Sequence, residues 1–78
     1  MPSKTLDLSK EESLCGDISI HVLEELEEID SGSTLIVKTR LPIEAVRESL
    51  KLVEEAGVAL IKEIRMEGEI VVAVIEKR

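Results

Sequence analysis

The sequence predicts an α+β two-layer sandwich, in which two helices cover one face of a four-stranded mixed sheet in the order βαβαββ. Three observations lead to this prediction. Short apolar runs alternate with two segments whose apolar residues repeat at helical spacing. A strand, a helix and a second strand of one sheet imply a parallel crossover. The last two apolar runs flank a glycine-containing turn, which is typical of a β-hairpin.

The first half of the chain supplies a strand and an acidic helix. Lys4 to Leu8 alternates apolar and polar residues, as a half-buried strand does, and residues 9–13 form a polar loop. Ile18 to Val22 also alternates like a strand, but the longer segment to Ile29 repeats like a helix, and its length favours the helix. Asp17 is the predicted N-cap. The predicted buried stripe consists of Ile18, Val22, Leu26 and Ile29, widened by Leu23.

The second half supplies a strand, a helix and a hairpin. Gly32 ends the first helix, and Thr34 to Thr39 is continuously apolar and β-branched, as in an interior strand. Pro42 begins a second helix that ends at Gly57. Its predicted buried face is Val46, Leu50, Val53 and Ala56.

The hairpin closes the predicted sheet. Its strands are Val58 to Met66 and Glu69 to Ile75, joined by a Glu67-Gly68 turn. The last strand is apolar on both faces, so we expect it in the centre of the sheet. Its open face leaves two alternatives, a homodimer or another partner.

Composition limits the function. The 78 residues form one domain, 1–78, and carry a net charge of −7 with no Phe, Tyr or Trp. An acidic chain without stacking residues is a poor nucleic-acid binder. No apolar run approaches the roughly 20 residues that span a bilayer, so we expect no membrane association. Because 35% of the residues are charged and none is Asn or Gln, we predict a thermophilic source.

Cys15 is the candidate site residue, within the segment Leu14-Cys15-Gly16-Asp17-Ile18. A thiol beside a helix N-terminus faces unpaired N–H groups and the positive end of the helix dipole, which favour the thiolate. We therefore expect the helix N-terminus at Gly16, Asp17 and Ile18 to support the thiolate, with the Asp17 carboxylate acting against it. The alternative is that Cys15 is a small buried apolar residue. A single cysteine fits a reduced, cytoplasmic protein.

Two other side-chain groups draw attention but predict ordinary surface. His21 is six residues beyond Cys15 and on a helix would point elsewhere, so we expect a solvated histidine rather than a general base. The glutamates at 24, 25, 27 and 28 are expected to be a solvated helix face. One Cys and one His fall short of a zinc site, and no metal is expected. Ile20 lies off the buried stripe, either as a lone exposed apolar side chain or as a partner contact beside Cys15.

The order of these features resembles the TusA/SirA family of small sulfur carriers. The resemblance rests on Thr5-Leu6-Asp7, on Leu14-Cys15 before an acidic helix, and on a glycine entry into the second strand at Gly32, 17 positions after Cys15. It covers nearly the whole chain. The family's Cys-Pro-x-Pro motif reads Cys15-Gly16-Asp17-Ile18 here, without either proline.

The resemblance implies that Cys15 carries a persulfide. Such a protein accepts sulfur from a donor protein and passes it to an acceptor protein, with no bound cofactor and no turnover of its own. The alternative function is a non-catalytic interaction or regulatory module on the same fold.

Overall fold

The computed structural model describes residues 3–9 and 18–78, and it contains two helices and one four-stranded sheet. The strand order is β1-β2-β4-β3. The predicted α+β fold with βαβαββ order is therefore confirmed. In chain order the elements are β1 Ser3–Asp7, α1 Ser19–Glu28, β2 Thr34–Thr39, α2 Ile43–Glu55, β3 Ala59–Glu67 and β4 Ile70–Lys77.

The sheet is mixed, as predicted. β1 runs parallel to β2, with Ser3 opposite Thr34, and β4 runs antiparallel to both β2 and β3. β4 is thus an interior strand, which its apolar sequence predicted. β2 has the predicted bounds, whereas β1 begins and ends one residue earlier than predicted.

The core lies between the helices and one face of the sheet. Along β2 every second residue is buried, which is the period of a strand with one covered face. Val71, Ala73 and Ile75 of β4 lie on the same face. The buried apolar cluster comprises Leu8, Ile18, Val22, Leu26, Leu35, Val37, Val46, Leu50, Val53, Ala59, Val71, Ala73 and Ile75.

Helix α1 buries the predicted stripe. Ile18, Val22 and Leu26 are buried, and Ile29 is partly buried against the same cluster. Ile20 is 64% exposed, as expected for a residue off the stripe. The predicted N-cap was wrong by one residue, because the helix begins at Ser19 and its N-cap is Ile18. Asp17 itself lies outside the described residues.

Helix α2 follows the predicted pattern except at its end. Val46, Leu50 and Val53 are buried, and Pro42 is the N-cap. The prediction that Ala56 is buried was wrong. Ala56 is the exposed C-cap, and the chain then turns away from the core through Gly57, whose φ of +77° is in the left-handed region.

The hairpin exists, but its turn lies one residue later than predicted. Glu67 pairs with Ile70, so the two loop residues are Gly68 and Glu69 rather than Glu67 and Gly68. Gly68 has a φ of +65°, and no described residue other than glycine has a positive φ. Glycine with positive φ at the first loop position, followed by a residue without it, is the pattern of a type II′ turn.

Candidate functional site

The central part of the predicted site lies outside the described residues. This applies to Cys15, Gly16 and Asp17, whereas Ile18, the fourth predicted residue, is described. The structure therefore defines the site through the two points where the surrounding chain is fixed. These points are the end of β1 and the beginning of α1.

The end of β1 is held firmly to the sheet. Leu8 is 6% exposed and its N–H donates to the carbonyl oxygen of Lys38 at 2.7 Å. The Asp7 carboxylate then accepts a hydrogen bond from the Ser9 N–H at 2.9 Å, which is the local turn that Asp commonly forms. The chain that leads to Cys15 therefore starts from a packed and hydrogen-bonded position.

A hydrogen bond to α2 anchors the beginning of α1. Ile18 has no exposed surface, and its N–H donates to Oγ of Ser49 at 3.2 Å. Ser49, on α2, is itself only 3% exposed. The Ile18 carbonyl oxygen accepts the first helical hydrogen bond, from the N–H of Val22 at 3.0 Å. Ser49 thus accepts a hydrogen bond from the Ile18 N–H at the helix start, where no side chain of α1 forms a cap.

Sequence reasoning did not identify Ser49 as part of this arrangement. Its neighbours Glu48 and Leu50 follow the expected polar and apolar pattern of an amphipathic helix. The only signal was a small polar residue beside the buried stripe, which also fits an exposed position. The acceptor role depends on how α2 packs against α1, which periodicity does not predict.

The first turn of α1 offers a favourable environment for an anion. It contains Ser19, Ile20 and His21 and no acidic residue. The positive end of a helix dipole favours negative charge within about one turn of the N-terminus. His21 is exposed, as predicted, and Ser19 is 7% exposed. The four glutamates of α1 all lie in its second half.

Both helices begin at the same edge of the sheet. Because β1 and β2 are parallel, their carboxyl ends lie together, and α1 and α2 each follow one of these ends. Arg40, directly after β2, is exposed at this edge. The segment 10–17 also starts and finishes here, at Ser9 and Ile18. Ligand sites in parallel α/β units favour this edge, outside the carboxyl ends of the strands.

The negative charge of the chain is concentrated around this segment. Residues 10–30 contain eight acidic residues and one lysine, which is a net charge of −7, and the remaining residues contain nine of each sign. The whole excess therefore belongs to α1 and the chain that flanks it. A negative charge of this size favours positively charged partners and repels nucleic acid.

Two lysines from the sheet compensate the C-terminal end of α1, which has no basic residue of its own. Lys4 Nζ lies 2.6 Å from Oε2 of Glu25 and 3.1 Å from Oε2 of Glu28. Lys77 Nζ donates to the carbonyl oxygen of Ile29 at 2.6 Å. Positive charge near the negative end of the helix dipole is stabilising. Hydrogen bonds to Glu25 and then to Glu28 raise the pKa of Lys4 above its ordinary value of 10.5, against a smaller desolvation effect.

This pKa shift predicts an alkaline loss of stability. A lysine whose pKa is raised on folding stabilises the protein fully below 10.5, and this contribution disappears as the pH rises through the raised pKa. We therefore expect Lys4→Met to be less stable than the wild type at pH 8 and to approach it as the pH rises through the raised pKa of Lys4, measured by urea unfolding. Lys51→Met is the control, because Lys51 is exposed on α2 and forms no ion pair with the described residues. An equal pH dependence in both variants would contradict the prediction.

Two small clefts lie among the described residues, away from the end of β1 and the start of α1. One, of about 210 Å³, is lined by Lys4, Glu28 and Asp30 among others, and the second, of about 200 Å³, by Leu23, Leu26 and Val58. Drug-sized ligands occupy clefts of roughly 300–1,000 Å³. Leu8, Ser9 and Ile18 line neither cleft. The two clefts therefore give no support to a small-molecule site at the predicted position.

The described parts of the chain contain neither a metal-binding cluster nor a helix that could span a membrane. In residues 3–9 and 18–78, no three His, Cys, Asp or Glu side chains are placed to hold a metal ion. Neither of the helices in these ranges is long and apolar enough to cross a membrane.

Comparison with known proteins gave no matching family model, no matching curated protein and no matching solved structure.

Proposed function

We propose that this protein is a small sulfur carrier that uses Cys15 to move sulfur between protein partners as a persulfide. The observation that carries the proposal is the anchored start of α1. Ile18 is buried and hydrogen-bonded to Ser49, and Cys15 precedes it by three residues. Three residues of chain span at most about 11 Å. Within that reach of Ile18, a thiolate at Cys15 would benefit from the positive end of the helix dipole.

The electrostatics and the fold add support. The first turn of α1 has no acidic residue, which favours a thiolate beside it, whereas the carboxylate of Asp17 opposes one. The βαβαββ order agrees with the fold that the TusA/SirA resemblance implies. The negative charge of residues 10–30 suits donor and acceptor proteins with basic surfaces around their own thiols.

The chemistry is a pair of thiol exchanges without net oxidation. The Cys15 thiolate attacks the outer sulfur of a donor persulfide, a new S–S bond forms, and the donor thiolate leaves. Cys15 then carries the outer sulfur as a persulfide. An acceptor thiolate attacks that sulfur, the acceptor becomes the persulfide, and Cys15 leaves as a thiolate. No cofactor takes part, since each step exchanges one S–S bond for another.

Loading with sulfur tests the proposal. We expect incubation with a low-molecular-weight persulfide to add one sulfur atom, about 32 Da, to the intact mass of the folded protein. The Cys15→Ser variant should gain nothing, and addition of excess thiol should remove the sulfur from the wild type. The wild type unfolded in urea should load more slowly than the folded protein, because unfolding removes the helix N-terminus.

Two outcomes would contradict the proposal. One is a folded protein whose Cys15 stays unmodified while a free cysteine peptide reacts under the same conditions. That result would favour the interaction module. The other is equal loading of the folded and the urea-unfolded protein, which would mean that the fold contributes nothing to the reactivity of the thiol.

A further inference from the structure

The face of the sheet opposite the helices carries a partly exposed apolar strip. By strand alternation and register this open face holds Ile36 of β2, Val72 and Val74 of β4, and Leu60 of β3. All of these except Val72 are partly exposed, and Val72 is 2% exposed. Val72 does not belong to the cluster beneath the helices. Its burial therefore comes from side chains of the open face itself.

The neighbours of Val72 explain this burial. Lys38 on β2 and Arg65 on β3 are its register partners on either side. Side chains directly opposite one another on neighbouring strands are in contact distance. The aliphatic stems of Lys and Arg cover apolar surface while their charged ends remain in water. The centre of the open face is thus a flat layer in which apolar residues and charged stems lie side by side.

The charges of the open face are nearly balanced, unlike those of the rest of the molecule. The face has three positive and four negative residues, and the ion pairs Arg65 to Glu63, Arg65 to Glu67 and Lys62 to Glu76 lie on it. The charged residues are Lys38, Lys62 and Arg65 with Asp7, Glu63, Glu67 and Glu76. Two copies that met through α1 would bring together the acidic excess of residues 10–30. Two copies that meet through the open face would not.

The size of the molecule is compatible with such an interface. An interface of standard size buries about 800 Å² of each partner. This is roughly one sixth of the 4889 Å² accessible surface of the chain, the share of one side of a compact body. In a symmetric dimer the same patch meets itself, so it must be self-complementary. A face with both charge signs around apolar residues allows positive side chains of one copy to meet negative ones of the other.

We propose that two copies of this chain associate through the open faces of their sheets. Val74 and Ile36 lie at the centre of the interface, and the charged side chains of β3 form its rim. This dimer does not depend on Cys15 or on the sulfur-carrier function. The non-covalent association is therefore expected in the Cys15→Ser variant as well.

Sedimentation velocity in reducing buffer, over a wide range of protein concentration, tests the proposal. We expect the wild type and Cys15→Ser to shift from monomer to dimer as the concentration rises. Val74→Lys places a charged side chain at the centre of the interface and should raise the dissociation constant at least tenfold. Leu52→Lys is the matched control. It makes the same kind of change and the same charge change at a 55% exposed position on α2, and should leave the dissociation constant unchanged.

A second variant covers the case in which Val74→Lys fails to fold, which circular dichroism would show. Arg65→Glu changes an exposed residue of an edge strand and leaves three neighbouring acidic side chains, with Glu63 and Glu67, on that strand. It should also raise the dissociation constant at least tenfold. A wild type that stays monomeric at millimolar concentration would overturn the proposal. So would a folded Val74→Lys or Arg65→Glu protein that dimerises like the wild type, or a dimer lost in Leu52→Lys.

Discussion

Replacing Leu50 with alanine is expected to lower the free energy of unfolding by about 3 kcal/mol. Leu50 lies on α2, has no exposed surface and belongs to the apolar cluster between helices and sheet. Truncation of a buried leucine loses its transfer free energy and leaves a cavity, and such changes typically cost about 2–5 kcal/mol. A domain of this size has a total stability of only about 4–12 kcal/mol. Urea unfolding followed by circular dichroism measures the change.

The chain offers a close control for this prediction. Leu52 is on the same helix, two residues further on, and is 55% exposed. Leu52→Ala makes the same chemical change and should alter the free energy of unfolding by no more than about 0.5 kcal/mol. Equal losses in the two variants would mean that α2 does not bury the face described above.

Replacing Ser49 with alanine is expected to lower the free energy of unfolding by about 1–2 kcal/mol. The change removes the acceptor of the Ile18 N–H in a buried environment, and an unsatisfied buried donor costs about 1–3 kcal/mol. The higher helix propensity of alanine returns roughly 0.5 kcal/mol. Glu48→Ala, at the exposed neighbouring position, is the control and should be close to neutral.

Ser49→Ala should also have a local effect at the start of α1. The Ile18 amide is expected to exchange with solvent faster than in the wild type, whereas the Val22 amide, which bonds within the helix, should change less. Unchanged protection of Ile18 would contradict the role assigned to Ser49. We also expect Ser49→Ala to load with persulfide more slowly than Glu48→Ala. This difference would connect the hydrogen bond between Ser49 and Ile18 to the function.

Periodicity was enough to predict the order of elements and most of the core. Thr34 to Thr39 was identifiable because β-branched apolar residues ran between a glycine turn and a proline. Val46, Leu50 and Val53 were identifiable because they recur at helical spacing. These signals are local, and the tertiary structure reinforces them rather than opposing them.

The errors occurred where local patterns have two solutions. Glu67-Gly68 and Gly68-Glu69 are both acceptable two-residue turns, and the pairing of β3 with β4 decided between them. Ala56 continues the apolar spacing of α2, but the helix ends one residue earlier. Asp17 is a better capping residue than Ile18, yet burial of Ile18 and its bond to Ser49 set the start of α1.

The candidate site was predictable in outline only. The sequence placed Cys15 before an acidic helix, and the structure places that helix at Ser19, behind a buried Ile18. Ser49, which lies 31 residues from Ile18 in sequence, and Lys4, which reaches Glu25 and Glu28 across the parallel crossover, become neighbours only in the folded chain. Contacts of this kind leave no periodic signal.

The uneven distribution of charge gives the molecule an electric dipole moment that acts before any contact forms. A positively charged body at a distance of a few nanometres turns the molecule so that α1 and the neighbouring segment come forward first. Encounter through that side is therefore faster than random collision would allow. Added salt, which shortens the range of the field to about 8 Å at physiological strength, removes this advantage.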